Sequence, residues 1–256
     1  MSESKNIPLE QFLANALMKS SFGPTLEAWA SDMHEKISSF MQANPNLLSD
    51  LRHFLYDFKN LPARQREVWS KAASQGWYMN SESSLSMTHY VGLGQQGLDA
   101  YMVQELQTDW PTLTRSIIAS YPAREEILAC AFGLHSERCY IASIPLFFAQ
   151  ADGICAQNLG AHLFTDSLTR ESKIAKISRS AEPFTDVLLN LLGMNTQFNA
   201  GIRESKQKDK QRAPNRNGIL HGSKKHLDYG TETNSLKAFS LLAFVVLVFS
   251  KESLTQ

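Results

Sequence analysis

The sequence predicts an all-α protein folded as a multi-helix, up-and-down bundle. Apolar residues recur at helical spacing along most of the chain, and Gly, Pro or Asn residues separate these segments. Alternating β-branched runs, which would indicate strands, are absent outside the last apolar segment, which is too long and too uniformly apolar for an ordinary strand. A chain of 256 residues, 43% of them hydrophobic, is long enough to bury a sizeable core.

The first part of the chain divides into short amphipathic segments. Four segments follow the helical pattern: 8–20, 25–43, 47–58 and 61–79. In the fourth, Pro62 lies in the first turn and Gly76 near the end, which is the usual asymmetry of a helix. We therefore predict an N-terminal helical extension over residues 1–60, followed by a helical domain over 61–256.

The predicted domain continues with long helices and then becomes polar. Residues 93–120 are helical by pattern, and 123–164 predict two long helices. A polar and basic insertion near 165–215 follows, containing one short amphipathic helix at 183–194.

The final segment, 236–250, is apolar on almost every side. This pattern predicts either the centre of a bundle or a subunit interface. The segment is too short to cross a bilayer, which takes about 20 apolar residues, so we expect no membrane partner.

The composition argues against several classes of protein. Acidic and basic residues balance at 25 each, so no global charge attracts a polyanion. Cys130, Cys139 and Cys155 have the spacing of neither a metal knuckle nor a redox pair, which predicts buried free thiols and a cytoplasmic location. The first 20 residues lack the apolar core of a signal peptide. We expect no metal site, because the histidines lack ligand spacing, and no cofactor, because no phosphate-binding or dinucleotide fingerprint occurs.

Positive charge is concentrated around the stretch APNRNGILHG, residues 213–222. Between 203 and 225 there are eight Lys and Arg residues against Glu204 and Asp209, a local excess of six. Such a run is either a solvated loop or a surface that attracts phosphates.

Three polar residues of that stretch have the chemistry that RNA cleavage requires without a metal. His221 suits proton transfer near neutral pH, and Arg216 can donate two parallel charged hydrogen bonds to a phosphate. Asn217 can orient the backbone without adding charge. Five residues of regular helix turn through about 500°, which leaves Arg216 and His221 roughly 140° apart around the axis. Either the segment is a turn or short irregular helix, or two copies of the chain converge at a subunit boundary.

The segment RNGILH resembles the R-x4–6-H motif of HEPN domains, the all-α domains of higher eukaryotes and prokaryotes named for nucleotide binding. The resemblance extends from about residue 60 to 250. Three quoted segments carry it in order: RCYIASIPLFFAQADGICAQNLG at 138–160, NRNGILHG at 215–222 and DYGTETNSLKAFSLLAFV at 228–245. Some toxin members carry a tyrosine two residues after the histidine, a position that is Ser223 in this sequence.

The resemblance implies a dimerising helical bundle that cuts RNA without a metal, as in toxin–antitoxin or antiviral defence systems. Arg216 and His221 would be catalytic and Asn217 would assist them. An antitoxin or regulatory protein would then be a partner. Other HEPN-like proteins bind RNA or nucleotides without cutting, so a non-catalytic binding or scaffold protein is the alternative. A plainer alternative is that the motif is only a capped turn, with Arg216 and His221 exposed and far apart.

Other residues are candidates for the same site. Asp152 lies in an apolar helix and needs a partner, either Arg216 or His221 as an orienter of the site, or a backbone amide or Arg138 as a structural bond. Three cations are candidates for binding RNA phosphates: Arg212, Lys224 and Lys225. Tyr229 could stack on a base. The polar residues at 231–235 predict the N-cap of the last helix.

Overall fold

The computed structural model describes residues 47–82, 87–164, 167–202 and 212–250, with side chains from residue 60 onward. Within these ranges it contains nine α-helices and no strand, which confirms the predicted all-α class. The helices are α1 (Leu47–Ser74), α2 (Met87–Gly92), α3 (Gly94–Ser120), α4 (Glu125–Ser136), α5 (Tyr140–Leu159), α6 (Ser167–Ser178), α7 (Pro183–Gly193), α8 (Arg216–Leu220) and α9 (Glu232–Val248). The helices predicted at 8–20 and 25–43 lie outside the described residues.

Helix α1 joins two segments that the sequence pattern separated. It continues through Pro62, where a helix start was predicted. The pyrrolidine ring removes one backbone hydrogen bond, but the residues on both sides keep the helical course. The chain divides into two compact units, Pro62–Ser250 and the remainder, Met1–Leu61 with Lys251–Gln256. All the side-chain contacts reported below lie within Pro62–Ser250.

The C-terminal end of α1 agrees with its prediction. Gly76 has a φ of +86°, and its N–H donates to the carbonyl of Ala73. The N–H of Trp77 donates to the carbonyl of Ala72, so the two bonds form a Schellman motif. A side chain at Gly76 would also overlap Ala213, because an added Cβ would lie 2.6 Å from the Cβ of Ala213.

Helix α9 forms the centre of the unit and packs against α5, α3 and α7. Nearly all of its residues are buried, including Leu236, Phe239 and Phe244 on different sides of the helix. The bundle-centre alternative is therefore the one observed, and the apolar surface of α9 is covered by the same chain. The predicted N-cap is confirmed, because the Thr231 hydroxyl accepts a hydrogen bond from the N–H of Asn234 at 3.2 Å.

Three hydrogen-bonded polar side chains lie within the aromatic core between α4, α5 and α9. His135 stacks on Trp110 with ring centroids 4.3 Å apart. Its Nδ1 lies 2.8 Å from the hydroxyl oxygen of Ser235, which lies 2.8 Å from that of Ser143. All three bonded side chains are buried, so these hydrogen bonds replace the water that burial removes.

Two sequence predictions need correction. The insertion near 165–215 contains α6 as well as the predicted helix at 183–194, and α6 buries Arg170 and Ile174 on one side. Two of the three cysteines, Cys130 and Cys139, are exposed rather than buried. Cys155 is buried as predicted, and burial raises the pKa of its thiol to about 12.

None of the described helices is both long and apolar enough to cross a bilayer.

Candidate functional site

The motif segment folds as the five-residue helix α8, closed at both ends. Asn215 is its N-cap, and its Oδ1 accepts a hydrogen bond from the N–H of Gly218 at 2.6 Å. Gly222, with a φ of +61°, ends the helix in a second Schellman motif, in which the N–H of Ser223 donates to the carbonyl of Gly218 at 2.9 Å. The expectation of a short helix or turn is confirmed.

Asn215 also anchors α8 to the segment that follows α7. Its Nδ2 donates to the carbonyl of Gln197 at 3.0 Å and to that of Ala200 at 2.9 Å. Asn215 is 1% exposed, and its bond to the Gln197 carbonyl is buried while the bond to Ala200 is partly buried. On the opposite side, the ring of His226 lies so close to Gly218 that any side chain there would overlap it.

Arg216 points inward from the first turn of α8. The carbon at the centre of its guanidinium lies 5.2 Å from the ring centroid of Phe164, and its Nη1 donates to Oδ1 of Asn217 at 3.1 Å. Its Nε is buried without a hydrogen-bond partner. Among the described residues, no carboxylate lies within ion-pair distance of this guanidinium. The part of the chain that the structure describes therefore holds this positive charge in place without supplying a counter-charge.

Asn217 links that guanidinium to the backbone. Its Oδ1 accepts from Arg216, while its Nδ2 donates to the carbonyl of Ala200 at 3.2 Å. Asn215 donates to the same carbonyl. Asn217 thereby acts as an orienting group for Arg216.

His221 is the C-cap of α8 and is exposed. Its backbone N–H donates to the carbonyl of Asn217 at 3.1 Å. No hydrogen bond, ion pair or ring contact joins its imidazole to any described side chain, Arg216 included. Within one chain the structure therefore brings Arg216 and Asn217 together, but does not bring His221 to them.

Asp152 holds the loop that follows α5. Its Oδ1 accepts from the N–H of Leu163 at 2.7 Å and from that of Phe164 at 3.3 Å, and its Oδ2 lies 3.1 Å from Nδ1 of His162. It bonds to neither Arg216 nor His221, so the backbone-amide alternative is the one observed. Its relation to Arg216 is indirect, because it fixes the backbone of Phe164.

The remaining candidates lie on the surface of the 212–229 segment. Lys224, Lys225 and Arg212 are exposed, and the carbonyl of Arg212 accepts from the buried Lys237 at 2.5 Å. The hydroxyl of Tyr229 donates to the carbonyl of Ile141 at 3.0 Å. Burial raises the pKa of that phenol, so it stays protonated as the bond requires.

Two residues of this site were not identified from the sequence. Asn215 has a recognisable signal, because Asn directly before a helix start is a preferred N-cap. Phe164 has none, since it lies 52 positions before Arg216 and ring contacts at that separation follow only from the packing of α5 against α8.

No three His, Cys, Asp or Glu side chains in the described ranges cluster in a way that could hold a metal ion. A groove of about 600 Å³ opens between α6 and α7, but none of the predicted site residues lines it.

No protein-family model, curated protein or solved structure matches this chain.

Proposed function

We propose that this chain is a metal-independent endoribonuclease of HEPN type. The observation that carries the proposal is the guanidinium of Arg216, which Phe164 and Asn217 hold with no acidic partner among the described residues. An arginine that only stabilises a fold is normally paired, since an uncompensated charge is costly to bury even in part. A phosphate would complete this arrangement, because the planar fork of arginine matches two phosphate oxygens.

RNA is the substrate that gives the second motif residue a role. The 2′-oxygen of a ribose attacks the adjacent phosphorus, the bond from phosphorus to the 5′-oxygen breaks, and a 2′,3′-cyclic phosphate and a 5′-hydroxyl remain. His221 takes part in moving the proton between these oxygens. Arg216 neutralises the charge that builds on the phosphoryl oxygens, and Asn217 keeps Arg216 in place. The exposed Lys224 and Lys225, together with Arg212, are proposed to hold flanking phosphates.

A second copy of the chain would bring a His221 to Arg216, which one copy alone does not do. Arg216 points inward while His221 faces solvent, so a single phosphodiester meets both groups most directly if they come from different chains. Three large apolar side chains near this segment, Ile141, Leu220 and Leu227, are between 46% and 66% exposed. Tyr229 bonds the 212–229 segment, which carries Leu220 and Leu227, to the backbone of Ile141. We propose this region as the contact between two copies.

The biological setting of the proposal comes from the resemblance alone. A nuclease of this type would serve in a toxin–antitoxin or antiviral system, controlled by an antitoxin or regulatory protein. This part of the proposal predicts that the unrestrained protein slows growth when it is overproduced.

A non-catalytic RNA-binding protein is the second candidate. The lack of contact between Arg216 and His221 within one chain favours it, because the guanidinium alone suffices for phosphate binding. This candidate predicts salt-sensitive RNA binding without turnover.

An RNA-cleavage assay in the presence of EDTA separates the two candidates. We expect the wild type to produce cyclic phosphate ends and His221→Ala to lose at least about a hundredfold in kcat. His226→Ala is unsuitable as a control because that ring packs on α8, whereas His89→Ala removes an exposed histidine from α2 and should cleave normally. Equal cleavage by wild type and His221→Ala would remove the catalytic role. RNA binding without cleavage would support the second candidate.

A further inference from the structure

The loop between α5 and α6 is held from both sides at a single residue. The N–H of Leu163 donates to Asp152 on α5, and its carbonyl accepts from Nη1 of Arg170 on α6. Lys173, one turn further along α6, donates to the carbonyl of Gly160 at 2.7 Å. Both backbone groups of Leu163 are therefore bonded to charged side chains.

Arg170 bonds to the Leu163 carbonyl at a high desolvation cost, because its charge is buried. Its side chain is 1% exposed, and its Nε and Nη2 are buried without hydrogen-bond partners. No carboxylate in the described part of the chain lies within ion-pair distance of it. A methionine or leucine would occupy similar space without the desolvation cost of a charge. The bond to the Leu163 carbonyl is the one hydrogen bond that this buried guanidinium makes among the described residues, so we expect its loss to act first on the backbone at Leu163.

The residue next to Leu163 is Phe164, whose ring contacts Arg216 in the candidate site. The ring of Phe164 lies under the guanidinium of Arg216, and it packs edge-on against Phe148 with centroids 5.7 Å apart. A shift of the Leu163 backbone would move this ring and the guanidinium above it. Misplacing a catalytic group by about 1 Å can cost about a hundredfold in rate.

We propose that Arg170 is a positioning residue for Arg216, acting through the carbonyl of Leu163 and the ring of Phe164. Asp152 holds the other side of the same backbone, so the two charged residues form a clamp around Leu163. The catalytic consequence of this clamp rests on the proposed function, whereas its structural consequence does not.

Three variants of the full chain test the proposal. Arg170→Met keeps the side-chain volume but removes the donor, and Arg170→Lys restores a donor and a positive charge. Arg179→Met is the control, because it removes an exposed arginine just beyond the end of α6. The readouts are amide hydrogen exchange of Leu163 and Phe164, the NMR resonance of the Arg216 Nε–H (assigned with Arg216→Lys), and kcat and KM for RNA cleavage.

We expect Arg170→Met to accelerate exchange at Leu163 and Phe164 and to shift or broaden the Arg216 resonance. We also expect kcat to fall by about tenfold while KM changes by less than about twofold, because many cations bind RNA but the reaction depends on one aligned guanidinium. Arg170→Lys should restore part of each effect, and Arg179→Met should match the wild type.

Exchange rates and an Arg216 resonance that stay unchanged in folded Arg170→Met would overturn the clamp. If that variant does not fold, Arg170→Lys decides, since the shorter donor group must still alter the Arg216 resonance. A wild type that does not cleave RNA would refute the proposed function alone. The exchange and resonance measurements would then decide the positioning role.

Discussion

At the scale of single residues, the candidate site depends on how side chains without a catalytic role hold Arg216. Phe164 lies under the guanidinium, Asn217 bonds to it, and Asn215 fixes the helix that carries it. The sequence identified Arg216 and Asn217 by their chemistry. It did not identify Phe164, because an aromatic residue 52 positions away has no local pattern that connects it to a phosphate site.

Gly222 has a backbone conformation that sets where the site helix α8 ends. Its φ of +61° ends α8 directly after His221, and an added Cβ would meet no atom within 4 Å. Gly222→Ala should therefore destabilise the protein by roughly 1–2 kcal/mol through backbone strain alone. Guanidinium unfolding of wild type and variant measures this difference.

Gly133 provides a matched control for that measurement. It lies within α4, and an added Cβ would also meet no atom within 4 Å, but its φ is not positive. Gly133→Ala should be neutral or stabilise the protein by up to about 1 kcal/mol. If Gly222→Ala lowered stability no more than Gly133→Ala does, the left-handed conformation at Gly222 would not be required.

At the scale of helices, the sequence pattern identified most elements. It failed where tertiary packing overrides a local signal, as at Pro62 and in α6. The boundary at Gly76 and the end of α3 near Tyr121 were predicted, since glycine and proline act locally. Pro62 suggested a helix start, yet α1 runs through it. Helix α6 was missed because only Arg170 and Ile174 of its residues are buried, and a buried arginine reads as polar.

Helix α9 received two interpretations from its sequence, and packing distinguishes them. A helix apolar on all sides fits either a bundle centre or a subunit interface. The number of neighbouring helices within the chain decides between these, and a sequence does not display it. Because α9 is covered by α3, α5 and α7, a contact between two copies has to use another part of the surface.

The buried histidine between α4 and α9 makes stability depend on pH. Burial lowers the pKa of His135 from its ordinary value of 6.5, and the charge of Glu232 opposes this effect. As pH falls below 6.5, the unfolded chain takes up the proton before the folded chain does. The stability that neutral His135 allows is therefore present above that pH and is lost as pH falls toward the folded-state pKa.

This dependence is measured by unfolding the protein at pH 7.5 and at pH 5.5. The wild type should lose more stability between the two pH values than His135→Asn, which keeps a group able to bond to Ser235 but gains no proton. His89→Asn, altered at an exposed histidine, should behave as the wild type. Identical losses in the wild type and His135→Asn would show that this ring does not titrate on unfolding.

At the scale of the whole molecule, the proposed nuclease would require a second copy because of how two groups are oriented. Arg216 is held against Phe164 and His221 is exposed at the far end of α8. In a twofold dimer the same surface of each copy faces its counterpart, so two equivalent sites form. Each site would take Arg216 from one copy and His221 from the other.

Heterodimers with two different affinity tags test this arrangement. One heterodimer pairs Arg216→Ala with His221→Ala, and the other pairs the wild type with the chain that carries both substitutions. Both contain the same two changes, so any difference in RNA cleavage comes from their distribution between chains. If the groups combine across the dimer, the first retains one intact site and about half of the wild-type activity, while the second is inactive. If each chain acts alone, the second heterodimer is half active and the first is inactive, which would contradict the shared site while leaving His221 and Arg216 as the reacting pair.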